Sequence, residues 1–391
     1  MFNLNFEWYF PTRIVCREKS IDDIGIIVKN IGEKALFITG QKMEKISGYI
    51  EKVIDILKKE GIEIYHYKDI PSEPEINDLT EVVRLVRKNK YDFIIALGGG
   101  SVIDSAKAAA VAANHPGELI DYLRSKKYGN QITKATLPIV AIPSTSGSGS
   151  ETTCYAVLDN KEEQIKDVIS SQYIYPTVCI IDPEIPANAP ESVKLSSGVD
   201  VLAHALESYI SKKASDMVAS FSIQAIDMVF KYLPLVLEEK KNMEAHAKMA
   251  IASAMAGISI ALGGTVVGHA TAHAWGSSSN VTHGLAVAGL LPWVIEINKN
   301  AAQDKLAHLA DALHLTTDGM AKHEKVEKLA MSLKDFYKKI NFDITSLGIF
   351  TKDIDIKNTA EIAMKQPVIL NNPNPVKQED IENELKRFAD F

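Results

Sequence analysis

Through its first half the chain alternates runs of β-branched and aromatic residues with runs whose apolar positions recur every three or four residues. KALFIT (34–39), IEIYHY (62–67), YDFIIALGGG (91–100), TLPIVAIP (136–143) and TVCIIDP (177–183) predict strands. KISGYIEKVIDILKKEG (45–61), INDLTEVVRLVRKNK (76–90) and SVIDSAKAAAVAAN (101–114) predict helices between them. Such alternation builds βαβ units, hence a mainly parallel, Rossmann-like sheet covered on both faces. Beyond it the period is helical almost throughout, with long runs at 215–239, 244–262 and 320–340. A boundary near residue 185 is therefore expected, between an α/β domain (1–185) and an all-α domain (186–391).

Composition narrows the class. A chain of 391 residues exceeds one typical core, so two domains are the natural expectation. With 24% charged residues, a net charge of −7 and no block of Lys or Arg, a nucleic-acid surface is excluded. Cys16, Cys154 and Cys179 are too few and too widely spaced for a disulfide framework or a thiolate zinc site, which suits the cytoplasm. The start, MFNLNFEWYF, lacks the basic and apolar regions of a signal peptide. Met249–Gly268 is uncharged and about long enough to span a bilayer. Its bulk is Ala, Gly, Ser and Thr, so a buried helix is expected instead.

Two loops follow predicted strands. ALGGGSVIDSAK passes through Gly98, Gly99 and Gly100 into a helix, where Ser101 and Asp104 have the spacing of a capping box. A helix start after glycines favours an anion such as a pyrophosphate, although GGGS alone serves equally as a tight turn. It is not the G-x-G-x-x-G fingerprint. IPSTSGSGSETT (142–153) alternates hydroxyls with glycines, including Ser144, Thr145 and Ser148, and offers donors to phosphate and ribose. Two such loops at neighbouring strand ends lie where open α/β sheets bind ligands.

VVGHATAHAWGSSSNVTHG (266–284) holds His269, His273 and His283, yet no Asp, Glu, Lys or Arg occurs from Met249 to Ile295. GSSSN (276–280) reads as a turn. The missing charge is found in LSSGVDVLAHALESYIS (195–211), where Asp200 and His204 share a helical face at i and i+4. His269 and His273 repeat that spacing. A carboxylate with neutral imidazoles suits a first-row divalent cation such as Fe(II), Zn(II) or Ni(II). Gly263, Gly264 and Gly268 allow close packing nearby, and Trp275 is either a pocket wall or core.

GGGSVIDSAK, PSTSGSGSE, DPE (182–184), GVDVLAHALE, GHATAHAWG and THG stand in the order seen in iron-containing, group III alcohol dehydrogenases, and the chain resembles that family from about Phe6 to its terminal NNPNPVKQEDIENELKRFA. The resemblance implies a dehydroquinate synthase-like two-domain architecture, with dinucleotide binding in the first domain and metal and substrate binding in the second. It implies a metal, Fe2+ first and Zn2+ or Ni2+ next, on Asp200, His204, His269 and His283. His273 is implied to be catalytic, moving a proton near substrate and nicotinamide. The implied cofactor residues are Gly40, Lys42, Gly99, Gly100, Ser101, Asp104, Ser144, Thr145, Ser148 and Lys166. The implied reaction is hydride transfer between a primary alcohol, or its aldehyde, and NAD(P)(H) in a cleft between the domains. Expected partners are that small molecule and a second copy of the chain, with no nucleic acid and no membrane.

Departures from the family sharpen one expectation. Many relatives carry an acidic residue for the NAD ribose where this chain has Gly40, and Lys42 follows. Glycine repels no 2′-phosphate, so NADP(H) is favoured over NAD(H). Glu73-Pro74 replaces the common Asn-Pro, which alters one cofactor contact. Other readings are a dehydroquinate synthase-like or glycerol dehydrogenase-like enzyme, or a non-catalytic metal- or nucleotide-binding protein. The neutral stretch 249–295 speaks against the basic pocket a sugar acid would need.

Overall fold

The computed structural model describes residues 2–126, 131–161, 163, 165–279, 281–352 and 354–390. Six strands form one parallel sheet: β1 (Arg13–Cys16), β2 (Lys34–Gly40), β3 (Glu63–Ile70), β4 (Phe93–Gly98), β5 (Ile139–Pro143) and β8 (Val178–Ile181). Their order is β1-β8-β5-β4-β2-β3. Among the described residues two further strands, β6 (Tyr155–Asn160) and β7 (Ile165–Ser170), form a separate antiparallel pair.

Alternation along each central strand sorts side chains to two faces. Leu36, Ile38, Ile94, Ala96, Ile139 and Ala141 share one core with the helices Thr80–Asn89 and Gly100–Asn114. Ala35, Phe37, Phe93, Ile95, Val140 and Ile142 share the other with the helix Ser47–Lys59. Every residue of β4 and β5 is buried, which is why these strands read as unbroken apolar runs. The expected α/β sheet, with helices on both faces, is present.

The sequence pattern missed β1 and the β6–β7 pair. β1 is only four residues long, and YAVLDN and IKDVIS are short runs broken by charge. Two predicted helices begin as tight 3-10 turns, Glu44–Ile46 and Ile76–Leu79, before the α-helix proper.

The chain divides into two compact units that do not follow one cut. The sheet unit comprises 9–194 with 241–257; the helical unit comprises 1–8, 195–240 and 258–391. The predicted long runs appear as the helices Asp216–Glu238, Met243–Gly263 and Lys322–Lys339. The first two are long and apolar enough to cross a membrane, but two-thirds of the apolar window in Met243–Gly263 is buried within the protein. The first three residues of GSSSN, Gly276, Ser277 and Ser278, prove to be helical and not a turn. The helix that starts at Val267 continues through Ser278, and Asn280 lies outside the described residues.

Candidate metal centre and nucleotide edge

Three helices of the helical unit supply the predicted donors. Asp200 and His204 lie one turn apart on Glu191–Ile210, His269 is near the start of Val267–Ser278, and His283 opens His283–Asn298. The Nε2 atoms of His204, His269 and His283 stand 3.7, 3.9 and 3.7 Å from one atom, Asp200 Oδ1. One donor atom from each of the four residues lies within 4.8 Å of all the others. These distances are too long for hydrogen bonds. They are close to the separation of ligands around a shared ion, since bonds of about 2.1 Å at tetrahedral angles put donors roughly 3.4 Å apart.

The electrostatics fit the same use. Asp200 is 7% exposed, and among the described residues Asp200 Oδ1 and His269 Nε2 are buried without a hydrogen-bond partner. Buried polar atoms are normally paired, so two orphans aimed at one point mark a place for a cation. Burial pushes the Asp200 carboxyl up to about 7; His269 opposes that shift and Glu207 adds to it. Burial also works against a charged His269, but the Glu207 carboxylate, with Asp200, outweighs it and raises that imidazole. The residues fit a divalent cation held by one carboxylate and three imidazoles.

His273 sits one turn beyond His269, half-buried. Its ring centre is 5.1 Å from that of His283 and 6.1 Å from that of His269. It is outside the four-residue donor set yet beside it. Trp275 is not a pocket wall. It is fully buried and packs on Phe388 at 5.0 Å between ring centres, so it belongs to the core.

In the sheet unit the two predicted loops meet at the carboxyl ends of β4 and β5. The Ser144 N–H donates to Gly98 O at 2.8 Å, which ties the loops together. A Cβ on Gly99 would sit 3.5 Å from Thr145 Oγ1, and one on Gly100 would collide with Ser148 at 2.9 Å. The helix begins at Gly100 with Gly99 as its cap, so Ser101 and Asp104 form no capping box. Ser101 Oγ instead accepts from the Glu73 N–H at 3.1 Å. Asp104 accepts from the Ser150 hydroxyl and, at 3.0 Å, from the Val157 N–H.

Lys107, which no sequence spacing singles out, anchors this arrangement. Its fully buried ammonium donates to Ser150 Oγ (2.9 Å), Thr153 Oγ1 (3.0 Å) and Tyr155 O (2.6 Å), and lies 3.4 Å from Asp104. Lys166 is also buried, between Asp159 at 3.0 Å and Glu73 at 3.3 Å. Gly40 ends β2, and Lys42 is exposed two residues later. A Cβ on Gly40 would press on Met43, Ile70 O and Val102 at 3.1–3.3 Å, so the position is crowded as well as uncharged.

A hydroxyl- and glycine-lined strand edge in the sheet unit and, in the helical unit, an Asp-His-His-His set fit for a divalent cation are features of an oxidoreductase of the dehydrogenase class. Residues 11–183 match the family model described as iron-containing alcohol dehydrogenase, and residues 194–389 match that of the family's C-terminal region. The chain is 29% identical to the NAD-dependent methanol dehydrogenase of Bacillus methanolicus, over 97% of this chain and 98% of that one. It is 29% identical to the NADPH-dependent butanol dehydrogenase of Clostridium saccharobutylicum, over 87% of each. The solved alcohol dehydrogenase from Oenococcus oeni superposes with a TM-score of 0.92 at 27% identity, covering 98% of this chain and all of that one. The chain belongs to the iron-containing alcohol dehydrogenase family.

Proposed function

We propose that the protein is an Fe(II)-dependent alcohol dehydrogenase that interconverts a small primary alcohol and its aldehyde with NADP(H) in preference to NAD(H). The observation that carries the metal reading is the approach of three imidazole Nε2 atoms to Asp200 Oδ1 at 3.7–3.9 Å. When bound, a divalent cation supplies Lewis-acid polarisation of the substrate oxygen. Asp200, His204, His269 and His283 would hold it. The His273 ring, beside His283, holds or releases a proton for the substrate oxygen at a ring nitrogen, work suited to an imidazole. Gly99, Gly100, Ser144, Thr145 and Ser148 offer backbone N–H groups and hydroxyls to the cofactor phosphates.

The NADP(H) preference rests on Gly40, which carries no carboxylate to accept the ribose hydroxyls of NAD, and on Lys42 beyond it. The Glu73 carboxylate does not stand alone at this edge, since Lys166 lies 3.3 Å away. Three free cysteines support a cytoplasmic setting. A homodimer is supported by Leu4, Phe6, Trp8, Tyr9 and Ile14, a concentration of exposed apolar residues early in the chain, and by β1 as a sheet edge. The test is absorbance at 340 nm with Fe2+-loaded protein, a short-chain aldehyde and either reduced cofactor. Steady oxidation supports the reading, and cofactor binding without turnover refutes it.

A further inference from the structure

Behind the four donors stands a second carboxylate. Glu207 is three residues beyond His204 and seven beyond Asp200, on the same face of the same helix. Its side chain is fully buried. One oxygen, Oε1, lies 2.9 Å from His269 Nδ1. The other, Oε2, accepts from the backbone N–H of Val266 at 2.7 Å and of His269 at 3.3 Å. Asn372 Oδ1 takes the adjacent Val267 N–H at 3.5 Å. Glu207 thus caps the helix that carries His269, from outside that helix, at the end where backbone donors and the dipole favour an anion. The fit leaves no slack: a Cβ on Gly268 would lie 2.3 Å from Glu207 Oε1.

We infer that Glu207 is the positioning residue of the metal centre: it fixes His269 with its proton on Nδ1 and its Nε2 lone pair directed at the site. A carboxylate has only acceptors, so a neutral imidazole facing it presents N–H at Nδ1 and leaves Nε2 bare. That Nε2 atom is the one 3.9 Å from Asp200 Oδ1. Partners of this kind fix the tautomer and ring orientation of a ligating histidine and raise its basicity. Glu207 also completes the charge balance. Asp200 alone would leave a buried divalent cation with an uncompensated positive charge, which is costly away from water. The second carboxylate brings the set to neutrality without occupying a coordination position, and it does so beside His269, whose own stretch from Met249 to Ile295 offers no charge.

This inference rests on the metal reading above, and the experiment separates the two. Zn2+, which is redox-silent, is titrated against a competing chelator into the metal-stripped full-length wild type, Glu207→Gln and His283→Ala. Melting temperatures of the metal-free proteins are recorded in parallel. The glutamine carbonyl can still accept from the two backbone N–H groups, which sets the amide's orientation. Its NH2 then faces His269 Nδ1 and forces the proton onto Nε2. The inference predicts an unchanged metal-free melting temperature and Zn2+ affinity weakened about 10- to 100-fold. Affinity within threefold of wild type overturns it. A melting temperature that collapses together with affinity reduces Glu207 to a helix cap and overturns it too. If His283→Ala binds Zn2+ as the wild type does, the metal centre itself is wrong and this inference falls with it.

Discussion

Gly284 sits so close to Ser196 that a Cβ at position 284 would fall 2.1 Å from the Ser196 carbonyl oxygen and 3.4 Å from the Asp200 Cβ. This contact lets the helix that opens with His283 approach the helix carrying Asp200 and His204. Gly284→Ala is therefore expected to push His283 outward. The cost is about 1–3 kcal/mol of stability, as for other overpacked contacts, with most of the bound metal lost. Metal analysis after gel filtration, beside a thermal melt, checks this; full metal occupancy would show that the helices are free to adjust.

Lys107 gathers Asp104, Ser150, Thr153 and Tyr155 O beneath the hydroxyl loop. Burial lowers its pKa, with Asp104 opposing that shift. Lys107→Met strands the Asp104 charge and frees the loop. Removing one partner of a buried pair costs on the order of 3–5 kcal/mol. Cofactor affinity is expected to fall with stability, while metal content in the folded fraction stays normal. Titration with reduced cofactor followed by fluorescence, beside metal analysis, tests this. A stable variant with unaltered cofactor affinity would contradict it.

Glu151 gives the sheet unit a pH dependence. Burial pushes its carboxyl up to about 7 from 4.5, while the Ser253 hydroxyl bonded to it opposes the shift. A raised folded pKa means that the native state holds a proton the unfolded chain has released. The contribution is complete below about pH 4.5 and lost as pH rises through about 7, amounting to at most about 3 kcal/mol. Glu151→Gln removes that slope, so its stability relative to wild type rises between those limits. Denaturant melts at pH 5, 6, 7 and 8 measure this; parallel curves for the two proteins would refute it.

Much of the fold was legible because its determinants are local. The runs KALFIT, YDFIIALGGG and TLPIVAIP are buried on both faces, and such strands announce themselves by unbroken apolarity. The donor set was legible in part from Asp200 and His204 at i and i+4. Adding His269 and His283 took the family resemblance, because no local period links residues 69 and 83 positions away from Asp200. Glu207 stood in the same quoted helix at i+7, but its partners are backbone N–H groups of another helix, which sequence spacing does not reveal. Lys107 escaped for a similar reason: a lysine within SAKAAA reads as a solvated residue until the loop that surrounds it is placed. GSSSN was misread because Ser and Gly favour turns, whereas here Ser277 and Ser278 bond back to His273 O and Ala274 O within a continuing helix.

The cofactor preference has its own test in Lys42. A charge-assisted contact to a 2′-phosphate is worth about 1.5–3 kcal/mol, or roughly tenfold and more in kcat/KM. Lys42→Ala is expected to lower kcat/KM for NADPH by about that factor and leave NADH unchanged. Gly40→Asp is less clean, because its Cβ presses on Met43, Ile70 O and Val102. A wild type that favours NADH, or a Lys42→Ala variant that loses both cofactors equally, would contradict the NADP(H) reading.

The most direct test of the account is metal content in four single variants, Asp200→Asn, His269→Ala, His283→Ala and His273→Ala, after loading with Fe2+ under anaerobic conditions and desalting. The first three residues are placed in the donor set, and His273 beside it. About one metal per chain is expected in the wild type and in His273→Ala. Little metal is expected in the other three, with His273→Ala keeping its metal while losing turnover. Full metal occupancy in both His269→Ala and His283→Ala, or its loss in His273→Ala, would contradict the assignment of the centre.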